Sequence, residues 1–227
     1  MPTTAVHLSK FLPYTALHAP GAPIPTIESY LRLAAIEFCE RTRCWRHMVN
    51  VELTDENHVA VVAPPYAAIH AFEYAAFIAD NGPRRPLLPT QYSDLAPEGF
   101  PENAGALPNH ITQATPNSIT IFPFAAGEVE LSVFLKPRFG QDFNGPDRES
   151  PIEDAYDKVP EFLLTQWGEA IAVGALSKLL IVPQQRWTDQ KTAMTFLARF
   201  ERYCDQHFSS NVIGQQRAPR RSRFSYL

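Results

Sequence analysis

WGEAIAVGALSKLLIVPQQRWTDQKTAMTFLARFERYCDQ, residues 167–206, is the stretch that decides the expected fold. It holds two blocks of helical periodicity: the first is almost wholly apolar and rich in small residues, and the second is amphipathic. The corner between them carries Pro183 and Trp187, followed by the capping residues Thr188 and Asp189. Because the stretch contains no recognisable catalytic motif, it indicates a structure for packing and assembly.

Three helices are predicted, and they lie at opposite ends of the chain. Apolar residues at helical spacing predict the first helix over residues 26–45. A long apolar helix is expected over residues 160–182, and a last amphipathic helix over residues 188–208. Most of the stability of a helix in a protein comes from packing of its apolar face, so the three are expected to pack on one another or on a neighbouring subunit.

About six short strands are predicted between the helices. Alternating apolar residues over 49–53 and an apolar run over 59–62 suggest a first hairpin. Residues 68–79 suggest a second hairpin, closed by the Asp80-Asn81-Gly82 turn. After a proline-rich loop, strands are expected at 110–114, 118–124 and 127–137, with a turn at Pro116-Asn117. Such strands suit a small sandwich or barrel.

These elements predict an α+β protein: a discontinuous helical bundle with an inserted small antiparallel β-module and an extended C-terminal tail. The expected parts are an extended N-terminal arm (1–25), a discontinuous helical domain (26–47 and 151–210), an inserted β-module (48–140), a linker (141–150) and a C-terminal tail (211–227).

Charge is unevenly distributed along the chain. The formal net charge is −4, yet the last residues, QQRAPRRSRFSYL, hold four arginines and no acidic residue, so the rest of the chain is more acidic than the whole. An acidic body with a basic tail suggests that the tail has an acidic partner. The alternative is a disordered, solvated end.

Cysteine usage and hydropathy bear on the compartment. The three cysteines form no framework spacing, which fits synthesis in a reducing cytoplasm. The N-terminus lacks the pattern of a signal peptide. The longest apolar run, Ala170–Val182, is too short to span a bilayer, so no membrane association is expected.

Candidate chemical sites are weak in this sequence. Cys39, Cys44 and His47, with His70 or His110, could hold zinc, but two cysteines five residues apart are expected on different sides of a helix. The acidic cluster of Glu153, Asp154 and Asp157 favours a solvated helix start over acid–base chemistry. Neither a catalytic residue nor a metal or other cofactor is predicted.

Two helical segments resemble a known protein family. LRLAAIEFCERTRCWR (31–46) is similar to the opening helix of head-to-tail adaptor proteins of tailed bacteriophages, and residues 167–200 resemble their later helices. The shared features are an alanine-rich helix with a Gly-Ala-Leu step (174–176) and a proline, Trp and Asp at the corner (Pro183, Trp187, Asp189). The strand SITIFPF (118–124), ending in proline, also resembles that family's β-module.

The resemblance implies a virion structural protein at the head–tail junction. Such adaptors form a ring, usually of about twelve copies, below the portal of the capsid. The ring joins the DNA-filled head to the tail and lets genomic DNA pass without sequence-specific binding. The implied partners are the portal protein, a tail or nozzle protein and further copies of the chain itself. An acidic body would suit a channel to which DNA does not stick, because phosphate contacts dominate DNA affinity.

The resemblance also suggests roles for two groups of residues. The basic, aromatic tail would engage the portal. Small or aromatic residues of the helices would pack between subunits. The alternative for these helix residues is that they form the core of a single chain. The implied portal-interface residues are Arg217, Arg220, Arg221, Arg223, Phe224, Tyr226 and Leu227. The implied subunit-packing residues are Trp167, Ala170, Gly174, Ala175, Leu176 and Trp187.

Three other functions stay open on sequence alone. The first is another neck or tail-completion protein of the same virion. The second is a hydrolase whose site lies on the proline-rich loop, with Glu98 or Asp94 acting beside His110. The third is a DNA-binding protein that acts through the arginines of the tail, in which case its affinity would fall steeply with salt.

Overall fold

The computed structural model describes residues 4–54, 57–79, 82–95, 107–138 and 158–213, with side chains described up to residue 208. The α-helices are α1 (Leu12–Thr15), α2 (Ile24–Thr42), α3 (Glu161–Leu179) and α4 (Gln190–Ile213), and short 3-10 helices span Leu8–Phe11 and Tyr92–Asp94. The strands are β1 (Ala5–His7), β2 (Arg46–Leu53), β3 (Ala60–Val61), β4 (Ala67–Ile78), β5 (Arg84–Pro86), β6 (Leu88–Pro89), β7 (His110–Thr115), β8 (Ser118–Phe122), β9 (Gly127–Pro137) and β10 (Lys158–Pro160).

Local signals at each end set the length of α2. Pro25 lies in the first turn, where the missing N–H costs no helical hydrogen bond. The helix ends at Thr42: the next residue, Arg43, still donates its N–H to the carbonyl of Cys39 at 2.9 Å, but its left-handed φ of 51° turns the chain out of the helix. The helix therefore begins and ends earlier than the 26–45 span that periodicity predicts, and the chain turns sharply before β2.

The two C-terminal helices differ in how much of their surface is buried. Almost every side of α3 is buried, whereas α4 buries a single stripe at helical spacing, which confirms the predicted apolar and amphipathic blocks. The buried α4 residues are Ala193, Phe196, Phe200 and Cys204. Asp189 caps α4, as predicted, because its Oδ1 accepts the backbone N–H of Thr192 at 3.1 Å.

Helices from both ends of the chain form one packed group. Helices α2, α3 and α4 contact one another pairwise. The ring centroid of Phe38 lies 5.9 Å from that of Trp167 and 6.3 Å from that of Phe200, distances at which aromatic rings attract. An ion pair between Lys178 Nζ and Glu37 Oε2, 2.7 Å apart, joins α3 to α2.

Strands remote in sequence build the sheets. The first has the order β2-β9-β4-β5 and the second the order β3-β8-β7-β6, while β1 pairs with β10. All the pairs are antiparallel except the parallel pair β6–β7. Strand β9 is central, and Val129, Val133 and Leu135 on it are fully buried. Residues of both four-stranded sheets and of the helices share one hydrophobic core.

The expected fold class is wrong. A discontinuous helical bundle with a small antiparallel β-module was predicted, but the described residues form an α+β protein with four α-helices and a β-sheet core of two four-stranded sheets and one two-stranded sheet. The β-structure is not confined to residues 48–140, because β1 and β10 lie outside that range. Pairing between distant strands made the sheets larger than local hairpins suggested.

Both predicted hairpins are corrected as well. Strand β2 pairs with β9, from Arg46↔Phe134 to Leu53↔Gly127, and β3 pairs with β8. Residues 67–78 form one continuous strand, β4, with irregular pairing between Ile69 and Ala71 and between Phe72 and Tyr74. The predicted turn at Pro116-Asn117 and the strand β9 are confirmed.

The N-terminal segment is folded where an extended arm was expected. Its strand β1 pairs with β10 in the register Ala5↔Pro160, and a 3-10 helix and α1 follow. Leu8 and Phe11 are buried and anchor the segment to the core. The linker (141–150) and most of the expected tail (211–227) lie outside the described residues.

Candidate assembly surface

A surface groove lies where the N-terminal segment crosses α3 and α4. Its volume is about 270 Å³. Its walls come from three parts of the chain: α1 and the turn after it, the middle of α3, and the first half of α4. The lining includes Tyr14, Leu17, His18, Val173, Phe196 and Arg199.

Pairing and packing position the N-terminal wall of this groove. The β1–β10 pair brings residues 5–7 beside the start of α3. Pro13 is the second residue of α1, and the hydroxyl of Thr15 donates to the carbonyl of Leu12 at 3.2 Å inside that single turn. The His18 ring then meets the Phe196 ring edge-on, with centroids 5.3 Å apart. These contacts hold the turn after α1 against α4.

The mouth of the groove is apolar and exposed. Leu17 is 85% exposed and Tyr14 is 47% exposed, although both belong to a folded segment. Grouped exposed apolar side chains typically mark a protein interface, and burying one such side chain contributes about 1.5–3 kcal/mol. The groove therefore has the chemistry of an association surface.

A charged rim borders the groove. The Arg199 guanidinium donates to Glu169 and lies over the ring of Tyr203, 5.9 Å from its centroid. The hydrogen bond to the Tyr203 hydroxyl, with a smaller contribution from Glu169, raises the pKa of Arg199, so this side chain stays cationic. A polar rim around an apolar centre is typical of protein interfaces and supplies orientation.

The predicted subunit-packing residues occupy the interior of one chain. Five of them are buried and Trp187 is half-buried. The five buried residues are Trp167, Ala170, Gly174, Ala175 and Leu176. They pack within the chain, and Leu176 also lines the groove. Their assignment to contacts between subunits stays a prediction.

The predicted portal-interface residues lie outside the described residues. These are Arg217, Arg220, Arg221, Arg223, Phe224, Tyr226 and Leu227. Their role stays a prediction. Glu98 and the acidic cluster of Glu153, Asp154 and Asp157 also lie outside the described residues.

Two of the residues proposed for a hydrolase site, His110 and Asp94, lie among the described residues, and each has a hydroxyl partner. The Nδ1 atom of His110 is 2.9 Å from the hydroxyl of Thr90, and Asp94 accepts a hydrogen bond from Ser93 at 3.5 Å. A nearby cavity of about 680 Å³ is lined by His70, Tyr92 and several hydroxyl and amide side chains. Burial lowers the pKa of His70 and outweighs the opposing charge of Glu40. His110 and Asp94 thus pair with hydroxyls instead of with each other.

Cys39 and Cys44 lie close together, although their spacing predicts that they lie on different sides of a helix. The Sγ atoms of Cys39 and Cys44 are 3.9 Å apart, because α2 ends at Thr42 and the left-handed Arg43 turns the chain back. Among the described residues, no cluster of three or more histidine, cysteine and carboxylate side chains is arranged to hold a metal. The two thiols therefore form a pair by themselves.

Sequence reasoning missed the groove. The sequence feature that points to the groove is the spacing of Tyr14 and Leu17. These two apolar residues lie three positions apart, in a segment whose prolines predict an extended chain. The helices of the described chain include none that is both long and apolar enough to cross a bilayer. No protein-family model matches the chain, and no curated protein is significantly similar to it.

Proposed function

We propose that this protein is a virion structural adaptor whose copies assemble as a ring between the phage portal and the tail. The observation that carries the proposal is the groove between the N-terminal segment and α3–α4, with Leu17 85% exposed at its mouth. The resemblance of residues 31–46 and 167–200 to head-to-tail adaptors supports the same role.

The shape of the groove favours a contact with a second copy. A ring needs a heterologous interface, in which one patch of each subunit meets a different patch of the next. A concave apolar surface on one side of the chain suits such a contact, because its counterpart must be a convex patch elsewhere on the neighbour. The ion pair between Arg199 and Glu169 joins α4 to α3 within the chain and gives the groove a charged rim.

The charge of the chain fits a DNA channel. With a formal net charge of −4 and a basic tail, the body repels the phosphate backbone. Genomic DNA would slide through a lumen of this kind without being held. The basic tail, in this arrangement, contacts the portal above the ring. Another neck or tail-completion protein of the same virion is the alternative that shares most of this reasoning.

Substitution of Leu17 tests the proposal. Purified portal particles are mixed with the wild-type chain or with L17E, and native mass spectrometry counts the copies bound to each portal. The wild type is expected to bind in a fixed multiple, and L17E is expected to bind fewer copies because a carboxylate enters the apolar interface. Equal loading by L17E would exclude the groove as the subunit contact.

A matched control comes from the β-sheet. Met48 on β2 is 71% exposed, comparable with Leu17, and does not line the groove. M48E should therefore bind portal like the wild type. Circular dichroism of both variants checks that the fold is retained. Failure of the wild type itself to bind any portal would overturn the adaptor function as a whole.

A further inference from the structure

The end of α2 brings two thiols together beside a half-open surface. Cys39 lies in the last turn of α2 and is fully buried, while Cys44 follows the turn and is half-buried. Their Sγ atoms are 3.9 Å apart, and a disulfide needs about 2 Å. Arg43 and Cys44 lie outside the helix, which ends at Thr42, and a shift of these two residues would have to close that gap.

The surroundings give the two sulfurs different reactivities. Burial opposes ionisation of Cys44, but its hydrogen bonds with Cys39 and Thr42 outweigh burial and lower its pKa. Burial, with the adjacent Cys44, raises the pKa of Cys39. Cys44 is therefore the thiol that ionises first, and the thiolate is the nucleophilic form. It is also the less buried of the two residues.

We propose that Cys39 and Cys44 form a redox-active dithiol, a modification site at which a low-molecular-weight disulfide such as oxidised glutathione generates an intramolecular disulfide. The proposal is independent of the adaptor function. Cys44 acts as the attacking thiol and Cys39 as the resolving thiol. The third cysteine, Cys204 on α4, is buried, and burial raises its pKa to about 11, so it takes no part.

The reaction balances in two exchange steps. The Cys44 thiolate attacks one sulfur of the small disulfide, forms a mixed disulfide and expels one thiolate, which takes up the proton that Cys44 lost. The Cys39 thiol then loses its proton and attacks Sγ of Cys44, expelling the second small thiol. Two electrons and two protons pass from the cysteine pair to the small disulfide, which leaves as two thiols.

The disulfide would form next to residues that join α2 to the sheets. Glu40, next to Cys39, forms an ion pair with Lys136 of β9, with Oε1 and Nζ 2.6 Å apart. Trp45, next to Cys44, stacks on Tyr66 with ring centroids 5.9 Å apart. Closing the disulfide would draw in the segment that carries both contacts, so the fluorescence of Trp45 is expected to change on oxidation.

Peptide mapping tests the proposal on the full chain. The protein is treated with oxidised glutathione, quenched in acid, unfolded, alkylated and digested with trypsin, which cuts after Arg41 and Arg43 between the two cysteines. We expect a disulfide-linked peptide pair joining Cys39 to Cys44, and alkylation falling from three cysteines to Cys204 alone. Three alkylated cysteines after oxidation, or a linked peptide that contains Cys204, would overturn the proposal.

Single variants assign the roles of the two thiols. C39S should accumulate a glutathione adduct at Cys44, because no resolving thiol remains, whereas C44S should form neither adduct nor link. C204S is the matched control and should form the 39–44 link as the wild type does. An adduct at Cys39 in C44S, or none at Cys44 in C39S, would contradict the assigned order. Since the wild-type map is decisive alone, a variant that does not fold leaves the test intact.

Discussion

The backbone of Gly174 lies directly against the ring of Phe200: a Cβ atom placed on Gly174 would come within 2.6 Å of Cε2 of that ring. Phe200 is fully buried and packs near Phe38, so its ring has little room to move. The absence of a side chain at residue 174 is therefore what allows α3 and α4 to approach so closely.

Replacing Gly174 with alanine should destabilise the protein. Overpacking of a filled core costs about 1–3 kcal/mol, and the helix gains about 0.5–1 kcal/mol from the Gly→Ala change. We expect the free energy of unfolding of G174A to fall by about 1–2 kcal/mol, measured by urea denaturation. G168A is the matched control on the same helix, because a Cβ on Gly168 would meet its nearest atom at an ordinary 3.5 Å. Equal stability of G174A and the wild type would contradict the close approach.

Acidification should weaken the fold through His207. Its ring lies 6.0 Å from the rings of both Phe38 and Trp167, and burial lowers its pKa below the ordinary value of about 6.5. The unfolded chain then takes up a proton more readily than the folded one, so this contribution to stability is complete above about pH 6.5 and is lost as the pH falls below it.

The variant H207F isolates that effect, because phenylalanine keeps the ring and does not titrate. Urea denaturation at about pH 7.5 and pH 5.5 should show a smaller loss of stability for H207F than for the wild type. Some loss should persist in the variant, since burial also lowers the pKa of His70. An identical loss in both proteins would show that His207 does not contribute.

The stability that Asp189 adds by capping α4 should also depend on pH, at lower pH values than the effect of His207. Hydrogen bonds from the Thr192 hydroxyl and backbone N–H lower the pKa of Asp189 below its ordinary value of 3.8. The added stability is therefore present above that ordinary pKa and is lost as the pH falls through the lower value of the folded chain. D189A should unfold at a lower temperature than the wild type at neutral pH. D189N should keep the cap without this acid dependence, and thermal melts between about pH 5 and pH 2.5 measure the difference.

Removal of the basic tail should separate folding from partner binding. We expect deletion of residues 215–227 to leave the thermal melt unchanged and to weaken capture by immobilised portal protein. A gel shift at increasing salt distinguishes the DNA-binding alternative, in which the tail would bind DNA with a steep salt dependence. Unchanged portal capture by the truncated protein would exclude the tail role.

Local patterns in the sequence predicted single elements well. The strict alternation of residues 127–137 marked β9, and the stripe of Phe196, Phe200 and Cys204 marked the buried face of α4. Asp189 was recognised as a cap from its position before the stripe. These features depend on neighbours within a few residues, which is why one sequence is enough to find them.

Features that depend on distant residues were not predictable in this way. Nothing near Val49 or Val51 shows that β2 pairs with β9, almost eighty residues later, instead of with β3. The sequence pattern predicts a hairpin over residues 68–79, yet residues 67–78 form one strand with irregular pairing at two places. The groove was missed for the same reason, since Tyr14 and Leu17 meet α3 and α4 only in the folded chain.

Electron microscopy of the protein mixed with purified portal particles tests the central claim most directly. The adaptor function predicts class averages in which a ring of identical subunits is bound coaxially to one face of the portal. Portal particles that look the same with and without the protein, while the protein stays as separate single copies, would contradict it.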